Sequence, residues 1–188
     1  MDTPIALTLA STEAASHDPL TGLFSRLATG DTAALGPIYD VCGAELYGLA
    51  LWLTGRAEDA ADLVQDAFLK LAAQGATLTG IRAPRSYLLT AVRRLAIDLA
   101  RRRRPTTPVD DLLLAAPSHD PALAADARRA SALLIELPVV QREAIYLRHH
   151  AGLSFAEIGR ITRVPTFTAA SRYRLGIARL RERLGVTP

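Results

Sequence analysis

Apolar residues recur at helical spacing along most of the chain. The pattern predicts a helix near residues 19–29 and another from about Leu35 to Leu53, with Ile38, Cys42, Leu46, Leu49 and Leu53 on one stripe. "TGRAED" breaks it, and a helix from about Glu58 to about Ala73 follows, inward through Ala60, Leu63, Val64, Ala67 and Leu71. "QGATLTGIRAPR" reads as a loop. Ser86 then precedes a helix to about Arg103 with Leu88, Val92, Leu95 and Leu99 inward, stopped by Pro105 and Pro108. Residues 105–121 hold four prolines and read as a flexible linker. Fully extended, those residues reach roughly 55 Å, so the flanking units need not touch. Beyond them come a helix around 122–136, a break at "LPVV", and a helix to about His149.

The last pair is the most explicit. Ser154 and Glu157 form an S-x-x-E capping box that starts a helix with Phe155, Ile158 and Ile161 facing a core. "RVPTFT" ends it at Pro165 and offers Thr166 or Thr168 as the next N-cap. On the following helix Ala169, Tyr173, Gly176, Ile177 and Leu180 share one face. Ser171, Leu175 and Ala178 lie opposite, flanked by Arg172, Arg174, Arg179 and Arg181. The fold class is therefore all-α: two small helical domains on a linker, the second ending in a helix-turn-helix. The expected division is a disordered tail over 1–18, a domain over 19–104, the linker, and a domain over 122–188.

Composition agrees with helices. Alanine and leucine dominate, and aromatics are 5% of the chain. One cysteine, Cys42, excludes an internal disulfide and suits a cytoplasmic protein. No apolar stretch approaches the ~20 residues of a membrane span. The N-terminus has no basic segment before its apolar patch, so no signal peptide is expected.

Charge changes the picture more. The net charge of +3 hides a division: residues 1–76 carry three basic and ten acidic side chains, whereas 77–188 carry nineteen basic and nine acidic. Every basic residue but Lys70 is arginine, the side chain suited to forked contacts with phosphate and guanine. From Arg160 to Arg183 there are seven arginines against one acid, Glu182. That imbalance suits a helix inserted into an anionic groove, as in a helix-turn-helix on duplex DNA. The helix after Ser86 repeats the arrangement, with Thr90, Arg93, Arg94, Ile97, Arg101 and Arg104 opposite its apolar stripe. On the acidic helix Asp62, Gln65 and Asp66 face outward together with Leu69. An acidic surface with an apolar centre suits a basic protein partner better than DNA.

Catalysis has little foothold. His149 and His150 are adjacent and lack a carboxylate at ligand spacing, and His17 and His119 fall in the tail and linker. No phosphate-cradling loop or nucleophile motif is present. The expectation is no enzyme, no cofactor and no metal.

Three segments carry a resemblance: "YGLALWLTGRAEDAADLVQDAFLKLAA", "RAPRSYLLTAVRRLAIDLARRRR" and "LPVVQREAIYLRHHAGLSFAEIGRITRVPTFTAASRYRLGIARLRERL". In that order they resemble the signature blocks of bacterial RNA polymerase sigma factors of the extracytoplasmic-function (ECF) subfamily, over roughly residues 20 to 184. The resemblance implies a dissociable, cytoplasmic subunit that binds core polymerase and recognises promoter DNA. Asp62, Gln65, Asp66 and Leu69 would meet the polymerase clamp helices. Tyr87, Thr90, Arg93, Arg94, Ile97 and Arg101 would serve the minus-ten element, although core packing is an equally good role for Tyr87. Thr168, Ala170, Ser171, Arg172, Arg174 and Leu175 would serve the minus-thirty-five element. An anti-sigma partner is implied, with Tyr47, Leu51 and Trp52 as outward or flank-facing candidates. Ala170 and Leu175 stand where the family often has basic residues, Arg94 where asparagine is frequent, and Phe167 where a small turn residue is frequent. The competing reading is a two-domain helix-turn-helix regulator that acts without polymerase.

Overall fold

A computed structural model describes residues 19–102 and 132–185. The predicted tail and linker, Arg104, and most of the helix predicted around 122–136 lie outside the described residues, although 132–135 are helical. The elements are α1 (Pro19–Ala28), α2 (Leu35–Thr54), α3 (Ala57–Gln74), α4 (Pro84–Arg102), α5 (Val139–His149), α6 (Phe155–Thr162) and α7 (Thr166–Leu184). One-turn 3-10 segments at Thr32–Ala34 and Gly75–Leu78 complete the first group.

Local chemistry sets the ends. Gly55, in left-handed conformation, closes α2, and its amide donates to the Leu51 carbonyl. The predicted capping box at Ser154 and Glu157 forms in both directions and starts α6. The predicted threonine cap of α7 does not form: Pro165 occupies the cap position, and no side chain caps that end. The Pro165 carbonyl accepts from the Thr168 and Ala169 amides, at 2.9 and 3.1 Å.

The predicted stripes of α2 and α3 are inward, with Leu53 half-buried. In α4, Leu88 and Val92 are buried, but Leu89 and Ala96 take the places expected of Leu95 and Leu99, which are half-buried. Around α1–α4 these residues form one core. A second is built by α5, α6 and α7, and the two are continuous.

That continuity is the main departure from the sequence reading. The two groups pack directly, α2 against α5 and α4 against α6. Gly48 makes the first contact possible: a Cβ there would stand 2.3 Å from the Tyr146 hydroxyl oxygen. That hydroxyl donates to the Glu45 carbonyl at 2.7 Å. Leu51 and Trp52, expected to be outward or flank-facing, are buried, with the Trp52 ring 5.3 Å from Tyr146 and 5.2 Å from His150. Apolar α2 surface that looked free from sequence is covered by α5.

Within the second group, Gly159 lies so close to the turn that a Cβ would sit 2.7 Å from the Val164 carbonyl oxygen. Backbone cannot step aside as a flexible side chain can. Gly159→Ala should therefore lower stability by about 1–3 kcal/mol, read as a lower urea midpoint; an unchanged midpoint would mean the turn is looser than its geometry implies.

Candidate nucleic-acid interface

Three surfaces follow from this packing. On α3, Asp62, Gln65, Asp66 and Leu69 are all exposed, Leu69 at 61%. Beside them runs an apolar groove of about 530 Å³ between α2 and α3, with Tyr39, Tyr47, Phe68 and Leu69 in its walls. Tyr39 meets Phe68 edge-on at 5.3 Å, which stiffens one wall. Carboxylates around exposed apolar side chains therefore form a surface fitted to a basic, partly apolar protein.

The second surface is a cavity of about 760 Å³ lined by α3, the loop after it and α4. Tyr87, Thr90 and Arg94 line it with Lys70 and Arg82, and Arg160 and Ile161 reach it from α6. Tyr87 is half-buried; its hydroxyl donates to the Gln74 side-chain oxygen, and its ring meets Phe24 edge-on at 6.1 Å. It packs against the core and lines the cavity at once. Arg94 and Arg101 are exposed with no carboxylate partner among the described residues, and Ile97 is half-buried.

The third surface is the outer side of α7. Arg174 and Leu175 are exposed, while Thr168, Ala170, Ser171 and Arg172 are partly exposed. Ala169 and Gly176 are buried on the opposite side, where a Cβ on Gly176 would meet Ile145 at 2.8 Å.

Arg93 departs from its predicted outward placement. Its Nε donates to Glu143 Oε1 at 2.5 Å, and both side chains are enclosed between the groups. Arg172 is near enough to act electrostatically on the same carboxylate. One carboxyl group thus draws an arginine expected at the minus-ten element and another expected at the minus-thirty-five element. Burial pushes the Glu143 carboxyl above its usual range, while Arg93 and Arg172 pull it down.

Other contacts staple the groups. Arg85 forks onto the Glu45 carboxylate and donates to the Ala151 carbonyl at 2.6 Å. Arg142 reaches the carbonyls of Ile135 and Leu53, at 3.2 and 3.4 Å, the latter at the C-terminal end of α2. Sequence reasoning missed Glu143, Arg142 and Tyr146 because one helix, α5, is buried from Gln141 to Leu147 on every side. The available signal was an acid standing between two arginine-rich helices. His149 bonds the Tyr173 hydroxyl at 2.9 Å, and His150 stacks on Tyr146, so both histidines have aromatic partners. No helix among the described residues is long and apolar enough to cross a membrane.

A family model for sigma-70 region 2 matches residues 38–106, which spans α2 through α4. The SigM ECF sigma factor of Mycobacterium tuberculosis is 30% identical over 158 residues, 83% of this chain and 80% of that protein. The chain belongs to the ECF RNA polymerase sigma factors. SigK of Mycolicibacterium vanbaalenii is 29% identical, covering 89% of this chain and 90% of that protein. In fold, the chain is similar to the sigma factor RpoE of Bartonella quintana, solved with the anti-sigma factor NepR. The TM-score is 0.71 at 24% identity, over 81% of this chain and 98% of that one. CnrH, solved with the cytosolic domain of CnrY, gives 0.66 at 22% over 88% and 97%. This sigma factor is thus a dissociable subunit for transcription initiation.

The buried carboxyl makes the packing pH-dependent. A group whose pKa is raised in the packed state holds its proton more tightly there than when exposed. Packing is therefore strongest in acid and weakens as pH rises through the raised value. Arg93→Ala removes the nearest opposing charge, and stranding one member of a buried pair costs about 3–5 kcal/mol. Small-angle scattering from about pH 5 to about pH 8 should show this variant expanding with pH more than the parent; equal, flat radii would contradict the assignment.

Proposed function

We propose that this sigma factor seats the acidic face of α3 on core polymerase and applies α4 and α7 to two promoter elements. This requires the two helical groups to separate. Asp62, Gln65, Asp66 and Leu69 take the polymerase contact, with the α2–α3 groove accepting an apolar side chain of the partner. Tyr87, Thr90, Arg94, Ile97 and Arg101 take the minus-ten element, joined by Arg93 once Glu143 is gone. Thr168, Ala170, Ser171, Arg172, Arg174 and Leu175 take the minus-thirty-five element. The working units are residues 19–104 and 122–188, in the cytoplasm, and the chain carries no catalytic site of its own.

One observation carries this reading: the exposed surface is divided, with carboxylates around Leu69 on α3 and, on α4 and α7, the guanidiniums of Arg94, Arg101 and Arg174 without carboxylate partners among the described residues. Separation follows from distance. Elements at minus ten and minus thirty-five are about 25 base pairs apart, roughly 85 Å of duplex at about 3.4 Å per pair. Arginines that converge on one carboxylate cannot span that length. Residues 105–121 between the two units could extend to roughly 55 Å at about 3.3 Å each, so the covalent connection lets the units part. Once one element is bound, the tether makes the second contact intramolecular. An unstacked promoter base would find the cavity beside Tyr87 and Arg94, offsetting part of the stacking lost on melting. An anti-sigma factor would bind this chain as NepR and CnrY bind their sigma factors in the similar structures.

Transcription with purified core enzyme tests the reading. Arg174→Ala should lower minus-thirty-five recognition by about 1–3 kcal/mol, the worth of a forked base contact, with core binding intact. Leu69→Glu should abolish core binding while the purified chain keeps its fold. Loss of both properties in both variants would overturn the division of surfaces.

A further inference from the structure

Phe167 is the most exposed large hydrophobic side chain among the described residues, at 73%. It takes no part in the core, whereas Phe155 packs on Tyr173 at 5.5 Å and lies beneath Arg148. The ring sits in the first turn of α7. At roughly 100° per residue, Ala169 and Gly176 lie nearly opposite, and both are buried. Ser171, Arg174 and Ala178 fall on the same stripe as Phe167. The ring therefore points straight out from the body, among the side chains assigned to the minus-thirty-five element.

Its surroundings narrow the partner. Arg163 and Arg174 are exposed nearby in sequence, and no acid occurs on α7 before Glu182. An apolar ring in a cationic field needs an anionic partner that also offers apolar surface. DNA does so at one kind of group in the major groove, the C5-methyl of thymine, against which phenylalanine is a known contact type. Position agrees, because the N-terminal residues of a recognition helix are those that reach base edges. A phosphate contact would call for a donor or a cation, and a ring supplies neither.

We infer that Phe167 is a specificity-determining residue. Its ring packs on a thymine methyl at one edge of the minus-thirty-five element, so thymine is selected there over cytosine. Leu175 lies about 12 Å further along the helix axis and offers a second apolar contact three to four base pairs away at about 3.4 Å per pair. Apolar readout thus takes over part of the work that basic residues would do at Ala170 and Leu175. The inference rests on the assignment of α7 to the minus-thirty-five element.

Holoenzyme assembled from core polymerase and the full chain tests it, transcribing a promoter library with both elements randomised. In the preferred promoter each minus-thirty-five thymine is then replaced by deoxyuridine, which removes only the methyl. One replacement should lower transcription by the parent chain about fourfold, the worth of one buried methyl. Phe167→Ala should be insensitive to that replacement while keeping its other base preferences, and Phe167→Leu should fall between. The side chain is exposed, so neither change threatens the fold. Equal sensitivity of parent and Phe167→Ala at every thymine would overturn the inference. So would a uniform loss across the library, which would indicate a backbone or protein contact. If the parent initiates without any minus-thirty-five preference, the assignment of α7 itself fails, and if it never initiates, polymerase function fails.

Discussion

A buried ion pair, Arg93 with Glu143, joins the two helical groups and withdraws one arginine of α4 from the surface. Glu143 is almost fully enclosed, and its carboxylate is tolerated there because a guanidinium stands 2.5 Å away and Arg172 adds to the field. Such a pair contributes little net attraction, since desolvating two charges offsets most of their mutual pull. What it does contribute is selectivity: the pair is costly to break one-sidedly and cheap to exchange. Under the proposed assignment, DNA phosphate would take the place of Glu143 at Arg93 and Arg172, while water receives the released carboxylate.

That exchange places the chain between two states without large strain in either. The packed state gains the apolar contact of Trp52 with Tyr146 and the close approach at Gly48, together with the bond from Arg85 to the Ala151 carbonyl. The separated state would gain the two proposed DNA contacts. A ligand shifts such an equilibrium only by its difference in affinity for the two states. Under the proposed assignment the promoter supplies that difference, because the packed arrangement holds Arg93 against Glu143 and keeps Arg172 beside it. The acidic face of α3 stays exposed in the packed chain, so the proposed polymerase contact is open before the halves part.

Much of this was legible in the sequence. The helices of the first group announce themselves because each has one apolar face, and Leu69 stood out because it breaks the polar face of α3. The capping box at Ser154 was readable because it needs only residues three apart. Harder were features that depend on a second surface arriving from far along the chain. Arg93 looks outward on a wheel of α4 alone, and Trp52 looks available on α2 alone; only the approach of α5 buries both. The helix α5 defeated periodicity because it is enclosed on all sides while carrying Gln141, Arg142 and Glu143. The cap at Pro165 was missed because two threonines nearby match the usual cap type, whereas no side chain caps that end.

One distance, that between the outer face of α7 and the exposed face of α4, separates the packed state from the proposed promoter-bound one. Paired spin labels at Ala178 and Asp98, both exposed, report it by pulsed electron resonance. The free chain should give a single short distance consistent with the packed groups. In the promoter-bound holoenzyme that distance should grow by tens of ångströms, toward the roughly 85 Å spacing of the two elements at about 3.4 Å per base pair. A short distance that persists in an actively transcribing complex would contradict the account.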